Sequence, residues 1–183
     1  MLRNERLRLF VGTALPPLLA NDLHERISSL LPASSDYRIT PTAQLHVTAM
    51  FIGNRDPTLL PSIRERVAHV ASITDPITIT HGRIFSMPKR SPYMAWVRFR
   101  PHKALTTLHH ALANALGSPP SVYVPYWPHI TLARGNGALS LPQSNEDIVE
   151  QFHIDCLTLF RSHRDPGGSQ HSVIEQWPLE RCV

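Results

Sequence analysis

The chain has 183 residues, 42% of them hydrophobic and 17% charged, with a formal charge of +4 and a pI of about 9.5. That balance excludes a disordered chain, and the length suits one compact unit or two small lobes sharing a core. Two cysteines, Cys156 and Cys182, are too few for a disulfide scaffold or a cysteine-rich zinc site.

RLRLFVGTAL (6–15) alternates and then turns apolar, which predicts a strand. Pro16 and Pro17 suit the opening of a helix, and LLANDLHERISSLL (18–31) has helical apolar spacing. A polar segment, PASSDYRITPTAQ, leads to a predicted strand LHVTAMFIG (45–53), and PTLLPSIRERVAHVAS (57–72) reads as a second helix. PITITHGRIFSM (76–87) and SPYMAWVRFRP (91–101) alternate as strands around the proline-bounded turn MPKRSP. HKALTTLHHALANALG (102–117) is a third helix with a glycine stop, and SPPSVYVPYWP leads into the strand HITLAR (129–134). FHIDCLTLFRS (152–162) and SVIEQWPLE (172–180) close the chain as two strands joined by HRDPGGSQ. Three helices and about seven strands predict an α+β fold with mainly antiparallel sheets. No linker divides it, so residues 1–183 read as a single unit.

Helix, proline-rich approach and histidine-headed strand occur twice, which suggests pseudo-symmetric lobes whose matching strands face each other across a cleft. Lys89 and Lys103 are the only lysines among 18 basic residues, and the net positive charge lies in residues 1–90. Arginine donates paired hydrogen bonds to phosphate, so an anionic partner is favoured. MLRNERLRLFVG is too charged for a signal-peptide core, and no apolar run approaches the roughly 18 residues of a membrane span. The expected location is the cytoplasm, without membrane contact, and a monomer is the expected state.

The chain has two His-x-Thr segments, His46/Thr48 and His129/Thr131. Chance produces so short a pattern at this histidine content, so its context decides. On a strand, residues i and i+2 share a face, so each histidine looks the same way as its threonine while Val47 and Ile130 point into an apolar layer. Two imidazoles and two hydroxyls meeting at one cleft suit phosphoester chemistry: one ring accepts a proton, the other donates one, and hydroxyls hold phosphate oxygens. Neither metal nor cofactor is needed, and no Asp/Glu cluster accompanies either segment. Strict alternation turns Arg134 off the His129/Thr131 face and Phe51 off the His46/Thr48 face. His109 and His110 lie on an amphipathic helix and read as surface and half-buried positions.

RLFVGTALPP, LHVTAMFIG, PYWPHITLAR and the closing GGSQHSVIEQWPL together resemble the 2H phosphoesterase superfamily, most closely the bacterial RNA 2′,3′-cyclic phosphodiesterases, also called 2′-5′ RNA ligases. The resemblance implies a bilobal α+β fold around a central cleft and hydrolysis of a ribose 2′,3′-cyclic phosphate to a 2′-phosphate, or the reverse joining of RNA ends through a 2′-5′ bond. It implies His46 as proton donor, His129 as proton acceptor, and Thr48, Thr131 and Arg134 as phosphate-binding residues. RNA with 2′,3′-cyclic phosphate ends, or small cyclic nucleotides, are the implied partners. The sequence departs from the family pattern in two places: Ala49 and Met50 follow Thr48 where leucine is common next, and His171 stands where tyrosine is frequent. Tyr126, Trp127 and Phe85 are candidates for stacking on bases, with Phe51 the weakest candidate. A non-catalytic RNA-end-binding module, and a sibling enzyme for 2′-5′ oligonucleotides or other cyclic nucleotides, are the alternatives.

Overall fold

The computed structural model describes residues 5–31, 37–120, 126–135, 139, 141, 146–165 and 168–180. Parts of the segments PASSDYRITPTAQ, SPPSVYVPYWP and HRDPGGSQ, together with Cys182, therefore lie outside the described residues. The strands are β1 (Leu7–Ala14), β2 (Arg38–Ile39), β3 (His46–Arg55), β4 (Ile77–Met87), β5 (Met94–Arg98), β6 (His129–Arg134), β7 (Val149–Ile154), β8 (Cys156–Asp165) and β9 (Gly168–Pro178). The helices are α1 (Pro17–Leu30), α2 (Leu60–Ser72) and α3 (Lys103–Leu116). One sheet has the order β3-β1-β8-β9 and the other β2-β6-β5-β4-β7, with antiparallel pairing throughout. This is the α+β architecture of antiparallel sheets that the alternating strands predict, in the bilobal, pseudo-symmetric form that the repeated segments and the family resemblance imply.

The helices begin and end where the local chemistry directs. Pro17 opens α1, whose buried Ala20, Leu23 and Ile27 lie along one stripe. α3 stops at Gly117, which adopts φ 57° and sends its N–H back to the last turn. The two halves also exchange helices. In the first half β1 and β3 pair and α1 lies between them in sequence, but α1 packs on β6 and β2 of the other sheet. In the second half β5 and β6 pair, and α3 crosses to pack on β3 beside α2. One continuous apolar core, with Leu23, Ile27, Leu105, Leu112, Ile130 and Leu159 at its centre, joins all of these elements.

Two expectations need correction. FHIDCLTLFRS is not one strand: the chain breaks at Asp155, β7 pairs with β4, and β8 pairs with β1 and β9. Apolar alternation runs through the break, so periodicity could not reveal the change of sheet. The short edge strand β2, inside a segment too polar to signal a strand, pairs with β6.

Candidate active site

His46 opens β3, at the edge of its sheet, and Thr48 follows on the same face. The β1–β3 register then slips by one residue: Gly12 pairs with Thr48 and Val11 with Met50, leaving Ala49 unmatched. Such a bulge reverses the alternation, so Ala49 and Met50 are both buried and Phe51 returns to the face of His46 and Thr48. Phe51 is 58% exposed and lines the cleft, contrary to the prediction from a regular strand. Gly12 makes the close approach feasible, since a Cβ there would lie 2.5 Å from the Val47 carbonyl oxygen.

β6 repeats the device. Trp96 pairs with Thr131 and Ala95 with Ala133, so Leu132 is the extra residue, and Leu132 and Ala133 are both buried. Arg134 is thereby returned to the face of His129 and Thr131, which strict alternation denies it. Each threonine is followed three residues later by a cleft-facing side chain, Phe51 in one half and Arg134 in the other.

The two strands meet at a cleft of about 510 Å³ lined by His46, Thr48, Phe51, His129, Thr131 and Arg134. His46 Nδ1 lies 2.7 Å from the Gln44 carbonyl oxygen, and His129 Nδ1 lies 3.1 Å from that of Trp127. A carbonyl only accepts, so each ring donates from Nδ1 and, when neutral, keeps Nε2 as its free acceptor. Both rings are anchored identically, by the carbonyl two residues back.

Their surroundings differ. His46 is flanked by Phe10 (centroids 4.9 Å apart), Phe160 (5.8 Å) and His171 (5.0 Å, edge-on). Burial lowers its pKa to about 4, with His171, His129 and Arg134 adding repulsion. His129 stacks on Trp96 at 4.0 Å, and burial pushes its pKa down as well. Gln44 ties the His46 side of the cleft together. Its carbonyl holds the His46 ring, and its side-chain amide clasps the His171 backbone, accepting from N–H at 2.5 Å and donating to C=O at 3.1 Å.

The cleft is cationic. Arg8 and Arg38 line it along with Arg134, and Arg38 sits directly across the β2–β6 ladder from Arg134. Like charges opposite one another repel, a cost that an anion between them removes. Among the described residues no three His, Cys, Asp or Glu side chains gather as a metal site.

The aromatic candidates separate. Trp127 is 39% exposed, Phe85 is half-buried on β4, and Tyr126 is buried. Tyr126 donates its hydroxyl to the Thr48 carbonyl at 2.6 Å and stacks on His109 at 4.4 Å, while His109 Nδ1 lies 2.7 Å from the Ala49 carbonyl. His109 is thus buried, not the surface or half-buried position that helical periodicity suggests. With Tyr126 it satisfies the outward carbonyls of an edge strand where β3 bulges. Trp96, Gln44, Arg8 and Arg38 have no counterpart in the sequence reading. Trp96 was discoverable, because it shares the alternation of SPYMAWVRFRP, but the pairing of that strand with HITLAR was not.

The chain is similar to other proteins in sequence and in fold. A family model described as the 2′-5′ RNA ligase superfamily matches residues 15–166. An RNA 2′,3′-cyclic phosphodiesterase of Bacillus subtilis is 28% identical over 128 residues, 68% of this chain and 69% of that protein. Among solved structures, TT0787 of Thermus thermophilus superposes with a TM-score of 0.80 at 24% identity, covering 94% of this chain and 97% of that one. LigT of E. coli complexed with 3′-AMP gives 0.76 at 19% identity, covering 97% and 100%. The chain belongs to the 2′-5′ RNA ligase superfamily of 2H phosphoesterases.

Proposed function

We propose that this protein opens ribose 2′,3′-cyclic phosphates, at RNA 3′ ends or in small cyclic nucleotides, to 2′-phosphates, with His46 and His129 as an acid–base pair. It acts in the cytoplasm as a monomeric bilobal unit and needs no metal. The observation that carries the reading is the matched anchoring of two imidazoles on either side of one cationic cleft, neither Nε2 having a hydrogen bond among the described residues.

In this reading His129 Nε2 takes a proton from water as the water oxygen attacks phosphorus. The bond from phosphorus to O3′ breaks, and His46 Nε2–H protonates the departing oxygen, leaving a 2′-phosphate. Thr48, Thr131 and Arg134 hold the non-bridging oxygens while their charge grows. Stacking on Trp96 favours His129 in the charged state it reaches at that moment. With a 5′-hydroxyl of a second strand in place of water, the same proton transfers form a 2′-5′ bond. Trp127 takes a base on its exposed ring, and Tyr126 lines the cavity beside it.

A pKa of about 4 favours the exchanged assignment, in which a neutral His46 is the acceptor. A substrate with sulfur at the bridging 3′ position separates the two, because a thiolate leaves without a proton. Rescue of His46→Ala but not His129→Ala by that substrate identifies His46 as donor, and the opposite pattern exchanges the roles. The function itself is tested with an oligonucleotide ending in 2′,3′-cyclic phosphate, in the presence of EDTA. Conversion to the 2′-phosphate is expected, whereas binding without ring opening by folded protein leaves an RNA-end-binding module.

A further inference from the structure

A second cavity, of about 720 Å³, opens beside the first and shares His129, Phe51 and Arg134 with it. Its walls are more apolar, with Met94, Trp96, Tyr93 and Trp127 among them, and it contains one further cation, Arg98. Arg98 pairs with His129 across the β5–β6 ladder, so the two side chains stand next to each other on one face of the sheet.

The Arg98 guanidinium is held in an unusual way. Its central carbon lies 4.3 Å from the Phe85 ring centroid and 4.4 Å from that of Trp127. Two rings thus attend one planar cation, and attraction to their faces orients it while partly removing it from water. Burial correspondingly pushes its pKa down. Among the described residues Arg98 has no hydrogen bond and no carboxylate partner. The neighbouring Arg83 illustrates the ordinary arrangement, since its Nε donates to Asp147 at 2.5 Å. A guanidinium set over two rings, with no acceptor among the described residues, keeps N–H groups available to an anion.

We infer that Arg98, held by Phe85 and Trp127, binds the phosphodiester that joins the terminal nucleotide of an RNA to the one before it. This rests on the proposed function: the cyclic phosphate lies between the histidines, and the next anion along the strand reaches the adjoining cavity. The protein therefore prefers an RNA end over a mononucleotide, a choice that the histidine cleft alone does not make. Arg98 acts as a specificity residue and takes no part in the proton transfers.

The test compares kcat/KM for a nucleoside 2′,3′-cyclic phosphate, a dinucleotide with the same cyclic end, and that dinucleotide with an uncharged methylphosphonate link. In the wild type the natural dinucleotide should exceed the other two by about tenfold, the worth of one charge-assisted hydrogen bond. Arg98→Met should abolish this advantage, and Arg98→Lys should restore little of it, because a lysine does not stack as a plane. Titration with the dinucleotide 2′-phosphate product, charged or uncharged at the link, gives a readout independent of turnover. The assignment is overturned if the charged and neutral links perform alike in the wild type, a measurement that does not depend on any variant folding. It is also overturned if Arg98→Met depresses all three substrates equally. Wild-type protein that opens none of them, yet discriminates the links in binding, would sink the hydrolytic reading and leave this site standing.

Discussion

β3 and β6 carry the same backbone device in different chemical settings. Each begins with a histidine anchored through the carbonyl two residues back, presents a threonine on the same face, and bulges just after it. The bulge delivers Phe51 into the cleft from one side and Arg134 from the other. His46 is enclosed by Phe10, Phe160 and His171, whereas His129 lies flat on Trp96. The difference shows how a near-symmetric scaffold acquires polarity. The backbone sets two imidazoles in equivalent positions, and the neighbours at each make them unequal.

The comparison breaks most severely if either histidine is removed. His46→Ala and His129→Ala should each reduce turnover by roughly 10²–10⁴, the usual worth of a positioned proton-transfer group, measured alongside thermal melts that show retained folding. Exchange of the two bulge-delivered side chains sharpens the asymmetry. Arg134→Met should lower kcat/KM by about tenfold or more through loss of charge-assisted bonds to phosphate, while Phe51→Leu should change it much less. A separate effect concerns stability against pH. Burial lowers the His46 pKa from 6.5 to about 4, so the unfolded chain binds the extra proton first and stability falls as pH drops through that interval. The loss should be roughly 2–3 kcal/mol from His46 in urea titrations, and His46→Gln should reduce the pH dependence to the part due to His129 and His171, whose pKa values burial also lowers. Asp56 and Asp147, whose carboxyl pKa values lie below 3.8, contribute their loss only in more acidic solution.

Much of the fold was legible because its elements are short and well punctuated. Alternation marked the β4–β5 hairpin, prolines opened α1, and Gly117 closed α3. The paired His-x-Thr segments were likewise visible from the period of a strand. What alternation concealed were the places where the period is interrupted. The bulges at Ala49 and Leu132 add one residue without a glycine or proline to announce it, so Phe51 and Arg134 were both assigned to the wrong face. Pairing across the sheet was equally hidden. Arg38 opposite Arg134, Trp96 under His129 and Arg98 beside it come from strands far apart in sequence. His109 was misread because a buried imidazole with a carbonyl to bond fits an amphipathic helix as well as a solvated one does.

The exchanged helices bear on how the cleft admits its ligand. α1 follows β1 yet packs on β6, and α3 follows β5 yet packs on β3, so each sheet is buttressed by the opposite half. A hinge that swung the sheets apart would have to peel both helices from their apolar seats. Closure around the substrate is therefore a poor source of selectivity for this architecture. The aperture is set during folding, and recognition falls to the side chains already standing in it.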